Sequence, residues 1–174
     1  METTINNKSE EITANCGDKE ITVGNKVLSS DKEYLEVYFD ICQLYLLKRS
    51  ILNKLKGTGS RLELSGKERF KSRIAVLNNR IQKQEDAFWQ KAEDGKKHGV
   101  KFTIEEIAAK YKLDLFEKRL LLFFLYLEYF AIEKNVCMED ELLYIFDVED
   151  SLLSRMRNMK YFMHGSILLK ERLF

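Results

Sequence analysis

Residues 115–133, LFEKRLLLFFLYLEYFAIE, decide the fold of this 174-residue chain. Their most apolar run is Leu120–Leu127, which resumes after Glu128 as YFAI. The run is too short to span a bilayer, which needs about 20 apolar residues, and the glutamate interrupts it. In a chain of which 33% is charged, a helix this apolar is predicted to lie in the core.

The composition predicts long helices. The chain contains no proline, whereas a chain of this length ordinarily carries roughly nine, so uninterrupted helices are favoured over strand-and-turn folds. The three cysteines, Cys16, Cys42 and Cys137, are odd in number and far apart, which is typical of a reduced intracellular protein. The polar N-terminus has no apolar stretch of signal-peptide length. We therefore expect an all-α or mainly α cytoplasmic protein, with no membrane partner.

The sequence divides into a flexible tail over residues 1–28, a long antiparallel helical hairpin over 29–98, and a winged-helix-like domain over 99–174. Residues 1–28 show no sustained periodicity. The first hairpin helix is predicted from Ser30 or Asp31 to Lys56, where Gly57 supplies the C-cap. Its two apolar rows are Tyr34, Tyr38, Ile41, Tyr45, Leu52 and Leu55, and Leu35, Phe39, Cys42 and Leu46.

The second hairpin helix is predicted to start at the capping box of Ser65 and Glu68 and to end before Gly95. Its apolar residues recur at steps of four and three, as in a heptad seam. Gln84 is the polar position expected to fix the register of that seam. The seam consists of Phe70, Ile74, Leu77, Ile81, Gln84 and Phe88.

The third region begins with helix-turn-helix spacing. A capping box of Thr103 and Glu106 is predicted to open a short helix, Ile104–Tyr111. A tight turn then leads to Asp114, which is expected to cap a second helix from Leu115 to about Glu133.

Three further elements are predicted downstream. Residues Met138–Phe146 form an apolar helical segment, and another helix runs from Glu149 or Asp150 through Met159, burying Leu152, Leu153 and Met156. Residues Ile167–Phe174 are expected to form a short terminal strand, the beginning of a wing.

The sequence predicts no catalytic, cofactor-binding or metal-binding residue. A phosphate loop around Ser65-Gly66-Lys67 would require glycine at position 61 and a hydroxyl at 68, where Arg61 and Glu68 stand. His98 and His164 are the only histidines and have no ligand partners at metal-site spacing. The acidic clusters, Glu139-Asp140-Glu141 and Asp147-Glu149-Asp150, are expected to mark helix starts.

The charge distribution argues against DNA recognition by the winged-helix-like region. Residues 99–174 carry 11 Lys and Arg against 13 Asp and Glu, whereas residues 29–98 carry 15 against 10. A reading helix over Leu120–Leu127 would expose core residues, and one starting at Glu149 would present carboxylates to phosphates. The basic residues of the hairpin are expected to form a solvated face, although they could also meet an acidic protein or nucleic acid: Lys67, Arg69, Lys71, Arg73, Arg80 and Lys83.

The run from Phe102 to Leu122, FTIEEIAAKYKLDLFEKRLLL, resembles a winged-helix variant that precedes the ATPase module in a group of prokaryotic AAA+ ATPases. The ending from Ser166 to Leu173, SILLKERL, is similar to that family's Ser-Pro-Leu followed by a basic-aromatic strand. Family members typically carry a short helix, a turn ending in Leu-Ser, then Phe-Glu-Arg and a leucine run. Here Asp114 replaces the serine and Ile167 replaces the proline.

The resemblance implies that the chain is a non-catalytic N-terminal region of a larger AAA+ protein. ATP and magnesium binding, hydrolysis and ring assembly would lie beyond residue 174, so this chain itself would not be an enzyme. Its expected partners are a protein substrate or adaptor and its own AAA+ module, with oligomer formation through the parent protein. The alternatives are a DNA-binding winged-helix regulator and a standalone coiled-coil adaptor.

Overall fold

The computed structural model describes residues 27–57, 64–131, 139–147 and 152–162. Within these ranges the protein is helical and contains no strand, which confirms the predicted mainly α class. Most of the tail (1–26) and the predicted terminal strand (167–174) lie outside the described residues. The helices are α1 (Asp31–Gly57), α2 (Leu64–Lys97), α3 (Thr103–Tyr111), α4 (Leu115–Tyr129), α5 (Glu139–Phe146) and α6 (Leu152–Met159), with a 3-10 turn over Lys160–Phe162.

Helices α1 and α2 pack side by side, with the beginning of α1 against the end of α2. The rings of Tyr34 and Phe88 lie 4.8 Å apart, edge to face. Further along α1, Tyr45 reaches back to Glu85 through its hydroxyl, which donates to Oε1 at 3.0 Å. In the first half of α1 most of the two predicted rows is buried, whereas Leu52 and Leu55 in the second half are partly buried. The periodicity of α1 therefore identified its core-facing side.

The predicted boundaries of the second helix are wrong at both ends. Helix α2 begins at Leu64, so Ser65 lies inside the first turn rather than at the N-cap, and it continues through Gly95 to Lys97. A Cβ atom at Gly95 would lie 2.9 Å from the carbonyl oxygen of Leu28 and 2.9 Å from Cζ of Phe102. Glycine is therefore present for close packing and not as a helix stop.

The predicted capping box at the start of α3 is also wrong. Thr103 is the first residue of the helix, and the N-cap is Phe102, whose side chain makes no capping hydrogen bond. Instead, the backbone N–H and the hydroxyl of Thr103 donate to the Asp31 carboxylate at 2.8 and 2.6 Å. The hydroxyl thus joins the starts of α1 and α3.

The capping of α4 by Asp114 is confirmed. Glu117 N–H donates to the Asp114 carboxylate at 3.0 Å, and Asp114 N–H donates to the Glu117 carboxylate at 2.9 Å. Between α3 and α4, Lys112 adopts the left-handed conformation with φ 55°. Helix α4 ends at Tyr129, earlier than predicted.

Most of the apolar run of α4 lies in the core, as predicted, although Phe124 is only partly buried and Leu125 is 37% exposed. Leu120, Leu122, Phe123 and Leu127 are fully buried. They belong to one cluster of buried side chains to which α1, α2, α3, α4 and α5 all contribute.

The prediction that α6 buries its apolar residues is wrong. The predicted acidic start at Glu149 or Asp150 lies outside the described residues, but within α6 Leu152, Leu153 and Met156 are 66%, 70% and 59% exposed. The apolar positions of this short helix therefore point away from the described core.

Candidate functional site: an aromatic groove

The strongest candidate site is a groove between the first half of α1 and the C-terminal end of α4. Its apolar lining consists of Leu35, Val37 and Phe39 from α1 and Tyr129 and Phe130 from the end of α4. The cavity measures about 590 Å³. We call it the aromatic groove.

A cluster of aromatic rings forms the wall of the groove. Phe39 lies 5.6 Å from Tyr129 and 5.9 Å from Phe130, and Tyr126 lies 4.8 Å from Phe130, measured between ring centroids. Tyr126 is buried beneath them, whereas Tyr129 is 74% and Phe130 50% exposed. Rings in mutual contact keep a defined orientation, so the outer two present a shaped apolar surface to solvent.

The end of α4 positions these two rings. Phe130 is the C-cap, and its N–H donates to the Tyr126 carbonyl at 3.1 Å. Ala131 then takes the left-handed conformation with φ 50°. The chain leaves the helix at this point, which keeps Tyr129 and Phe130 at the mouth of the groove.

The rim of the groove is acidic. Glu36 and Asp40 lie one helical turn apart on α1 and line it together with Lys32 and Gln43. Lys32 Nζ lies 3.7 Å from Glu36. Partial burial, and secondarily the negative charge of Glu36, raises the pKa of the Asp40 carboxyl. A cation brought to this rim would relieve the repulsion between the two carboxylates.

The polar cluster around Glu85 is part of the core. Glu85 is fully buried and is held by Tyr38, Tyr45 and Arg119. Burial raises the pKa of the Cys42 thiol, so this cysteine is not an activated nucleophile. The hydrogen bonds that Tyr38, Tyr45 and Arg119 donate to Glu85 hold α1, α2 and α4 together.

Asp147 is buried, which the sequence did not predict. It follows the end of α5 and is only 2% exposed, while the other members of its acidic cluster, Glu149 and Asp150, lie outside the described residues. Its backbone carbonyl accepts a hydrogen bond from buried Lys48 at 2.6 Å, and its carboxylate lies 3.4 Å from Arg155. Lys48, which interrupts the apolar row of α1, was the available sequence signal for this buried contact.

The residues weighed for metal or phosphate chemistry do not come together in the described part of the chain. His98 is exposed, and its Nδ1 lies 2.7 Å from the Asp94 carbonyl. Lys67 lies within α2, while Arg61, His164, Cys16 and Cys137 are outside the described residues. Across the described ranges, no three His, Cys, Asp or Glu side chains are grouped to hold a metal ion.

The sequence predicts the apolar residues of the groove but not the groove itself. The row of Leu35 and Phe39 predicted that α1 is covered on a second side, and α4 does cover part of it. Residues 129–132 were expected to be core. The structure leaves Tyr129 and Phe130 exposed because α4 ends there.

Two observations set the context of this site. None of the helices in the described ranges is both long and apolar enough to cross a bilayer. The chain matches no protein family, no curated protein and no solved structure at a significant level.

Proposed function

We propose that this chain is a non-catalytic protein-interaction region and that the aromatic groove receives its partner. The single observation that carries the proposal is the exposure of Tyr129 and Phe130, in ring contact with Phe39, beside an apolar cavity. Exposed aromatic clusters of this kind are typical of protein-binding sites. The partner that fits is an amphipathic helix, with apolar side chains for the groove and lysine or arginine for Glu36 and Asp40.

We also propose that the region belongs to a AAA+ ATPase in the cytoplasm. Its role would be to recruit a protein substrate or adaptor, or to regulate the ring, with ATP and magnesium bound outside this chain. The proposal is supported by the resemblance of residues 102–122, which fold as α3, a three-residue turn and α4. The finer architecture proposed is a helical hairpin over 29–98 followed by a winged-helix-like unit over 99–174.

DNA reading by the winged-helix-like unit is the less supported alternative. Leu120 and Leu122 of α4 are buried and unable to face a groove of DNA. Helix α6 exposes Leu152 and Leu153 at its beginning, where a reading helix would need polar side chains that hydrogen-bond to base edges.

The groove is tested with synthetic amphipathic helices that share one apolar face and carry either lysine or glutamate on its flanks. Fluorescence anisotropy should show that the chain binds the lysine-flanked peptide and not the glutamate-flanked one. Phe130→Asp should abolish binding because it places a carboxylate in the apolar wall. The matched control is Leu153→Asp, which introduces the same charge at an exposed leucine outside the groove and should leave binding unchanged.

Equal binding of both peptides, or equal loss in both variants, would contradict the groove as the site. The AAA+ proposal has a separate test. The purified chain should not hydrolyse ATP, and steady phosphate release that survives repeated purification would show that the activity is not confined to another module.

A further inference from the structure

A second surface, remote from the aromatic groove, is defined by charge. Residues 41–84 contain 11 lysines and arginines and only two glutamates, Glu63 and Glu68, in a chain of net charge +1. The remainder of the chain therefore has a net charge of −8. Because the start of α1 packs against the end of α2, the second half of α1 and the first half of α2 lie at the same end of the helix pair, opposite the groove.

Within this region, α2 carries a straight row of cations on its solvent side. Arg69, Arg73, Arg80 and Lys83 are all exposed, with Val76 between them at 67% exposure. Steps of four, three, four and three residues keep these positions within about 80° around the helix axis. The row is about 21 Å long at 1.5 Å per residue. We call it the basic row.

Carboxylates do not neutralise the basic row within the described residues. No ion pair joins any of its four cations to another described side chain. Glu68 and Asp86 lie on a different side of α2, by the same helical geometry. Asp86 is also occupied, because it accepts a hydrogen bond from Gln82 at 2.7 Å.

We propose that the basic row binds the phosphodiester backbone of double-stranded nucleic acid without sequence preference. Four cations in line over about 21 Å match a run of backbone phosphates. Three of the four are arginines, whose guanidinium groups hydrogen-bond to phosphate oxygens at two points. The face carries no aromatic side chain on which unpaired bases could stack, so a duplex fits better than a single strand.

The composition of this face favours a nucleic-acid duplex as its ligand over an acidic helix or a membrane. A helix–helix interface needs a continuous apolar seam, and an interfacial membrane helix needs large apolar side chains. The basic row offers Val76 alone. The inference goes beyond the proposed function, and it differs from DNA reading by the winged-helix-like unit, against which the acidity of residues 99–174 still argues.

The proposal is tested by fluorescence anisotropy with labelled duplexes of about 25 base pairs, using two unrelated DNA sequences and one RNA. All should bind with similar affinity because the contacts are to phosphates. Between about 50 and 200 mM salt, the slope of log K against log salt should be near −3.6 for four phosphate contacts. Arg73→Gln with Arg80→Gln should reduce that slope to near −1.8.

Charge reversal provides the matched comparison. Arg73→Glu with Arg80→Glu should weaken binding at least about tenfold at low salt. Lys101→Glu with Lys110→Glu makes the same change in net charge at exposed sites outside the row and should have a small effect. All four positions are exposed, and circular dichroism should show unchanged helix content.

Several results would overturn the proposal. These are no binding at about 50 mM salt, equal loss in both charge-reversal variants, and a strong preference for one DNA sequence. Competition by polyglutamate as effective as by duplex would assign the row to an acidic protein instead. Tighter binding to phosphatidylserine vesicles than to duplex would assign it to a membrane surface.

Discussion

Arg119 on α4 and Glu85 on α2 form a two-point ion pair inside the protein. Arg119 Nε donates to Glu85 Oε1 at 3.0 Å, and a terminal guanidinium nitrogen donates to Oε2. Tyr38 and Tyr45 of α1 donate to the same carboxylate at 3.1 and 3.0 Å. Glu85 is fully buried, so one carboxylate fixes the relative positions of three helices.

We expect Arg119→Met to destabilise the protein by about 3–5 kcal/mol, because it leaves the Glu85 charge buried without its partner. Adding Glu85→Gln removes that charge while the amide oxygen still accepts from the tyrosines. The double variant should therefore be more stable than Arg119→Met alone. Urea unfolding of the two single variants and the double variant measures the coupling. A loss below about 1 kcal/mol for Arg119→Met would mean that water reaches Glu85.

Glu85 of α2 is fully buried, whereas Gln84, the polar position predicted for the heptad seam, is only partly buried. This difference shows what the heptad pattern determines and what it does not. The pattern places the centre of the core-facing side correctly, since Ile74, Leu77 and Ile81 are buried. Gln84 and Glu85 lie about 50° to either side of that centre. Periodicity alone therefore does not predict which of the two is buried. Glu85 is buried because it pairs with Arg119, which lies 34 residues later in the chain, on α4.

The predicted capping box of α3 and the predicted N-cap of α4 had different outcomes for the same reason. Asp114 and Glu117 are three residues apart and satisfy each other, so local sequence is sufficient to predict them. Thr103 binds Asp31, which is 72 residues away, and a local pattern carries no information about that contact. Of the aromatic groove, the apolar residues were predictable, but their exposure depends on where α4 ends.

Gly95→Ala should destabilise the protein, although alanine is favoured over glycine within a helix by about 1 kcal/mol. The added Cβ would meet the Leu28 carbonyl and the Phe102 ring at 2.9 Å each, so the backbone before α1 must move. Thermal unfolding should show a lower midpoint. The comparison is Ala109→Gly at an exposed site in α3, which should lose only the intrinsic helix preference. A higher midpoint for Gly95→Ala would mean that Leu28 does not pack on α2.

Leucines in α4 and α6 should respond differently to truncation. Leu122→Ala removes a fully buried side chain and should cost about 2–5 kcal/mol. Leu153→Ala alters a side chain that is 70% exposed and should change stability by less than about 0.5 kcal/mol. Urea unfolding of the two variants measures both values. A large loss for Leu153→Ala would restore the sequence-based expectation that α6 buries this residue.

Glu105 should make stability depend on pH at the acidic end. Burial alone would raise the pKa of this carboxyl, but the hydrogen bond from Tyr34 and the ammonium groups of Lys118 and Lys96 lower it overall. Tyr34 donates at 2.8 Å, and Lys118 Nζ lies 3.2 Å from the same oxygen. Because the pKa of Glu105 is lower in the folded state, its contribution is complete above the unfolded value of about 4.3 and is lost as the pH falls through the folded value.

Glu105→Gln should therefore reduce the difference in unfolding free energy between neutral pH and about pH 3. The variant should be less stable than the native protein at neutral pH, because Lys118 and Lys96 lose their shared carboxylate. Urea unfolding at both pH values measures the difference. Glu106→Gln is the matched control. Glu106 follows Glu105 in the sequence, but its carboxylate is exposed and no described side chain pairs with it. If both variants retained the native pH dependence, the acid sensitivity would arise from carboxylates other than Glu105.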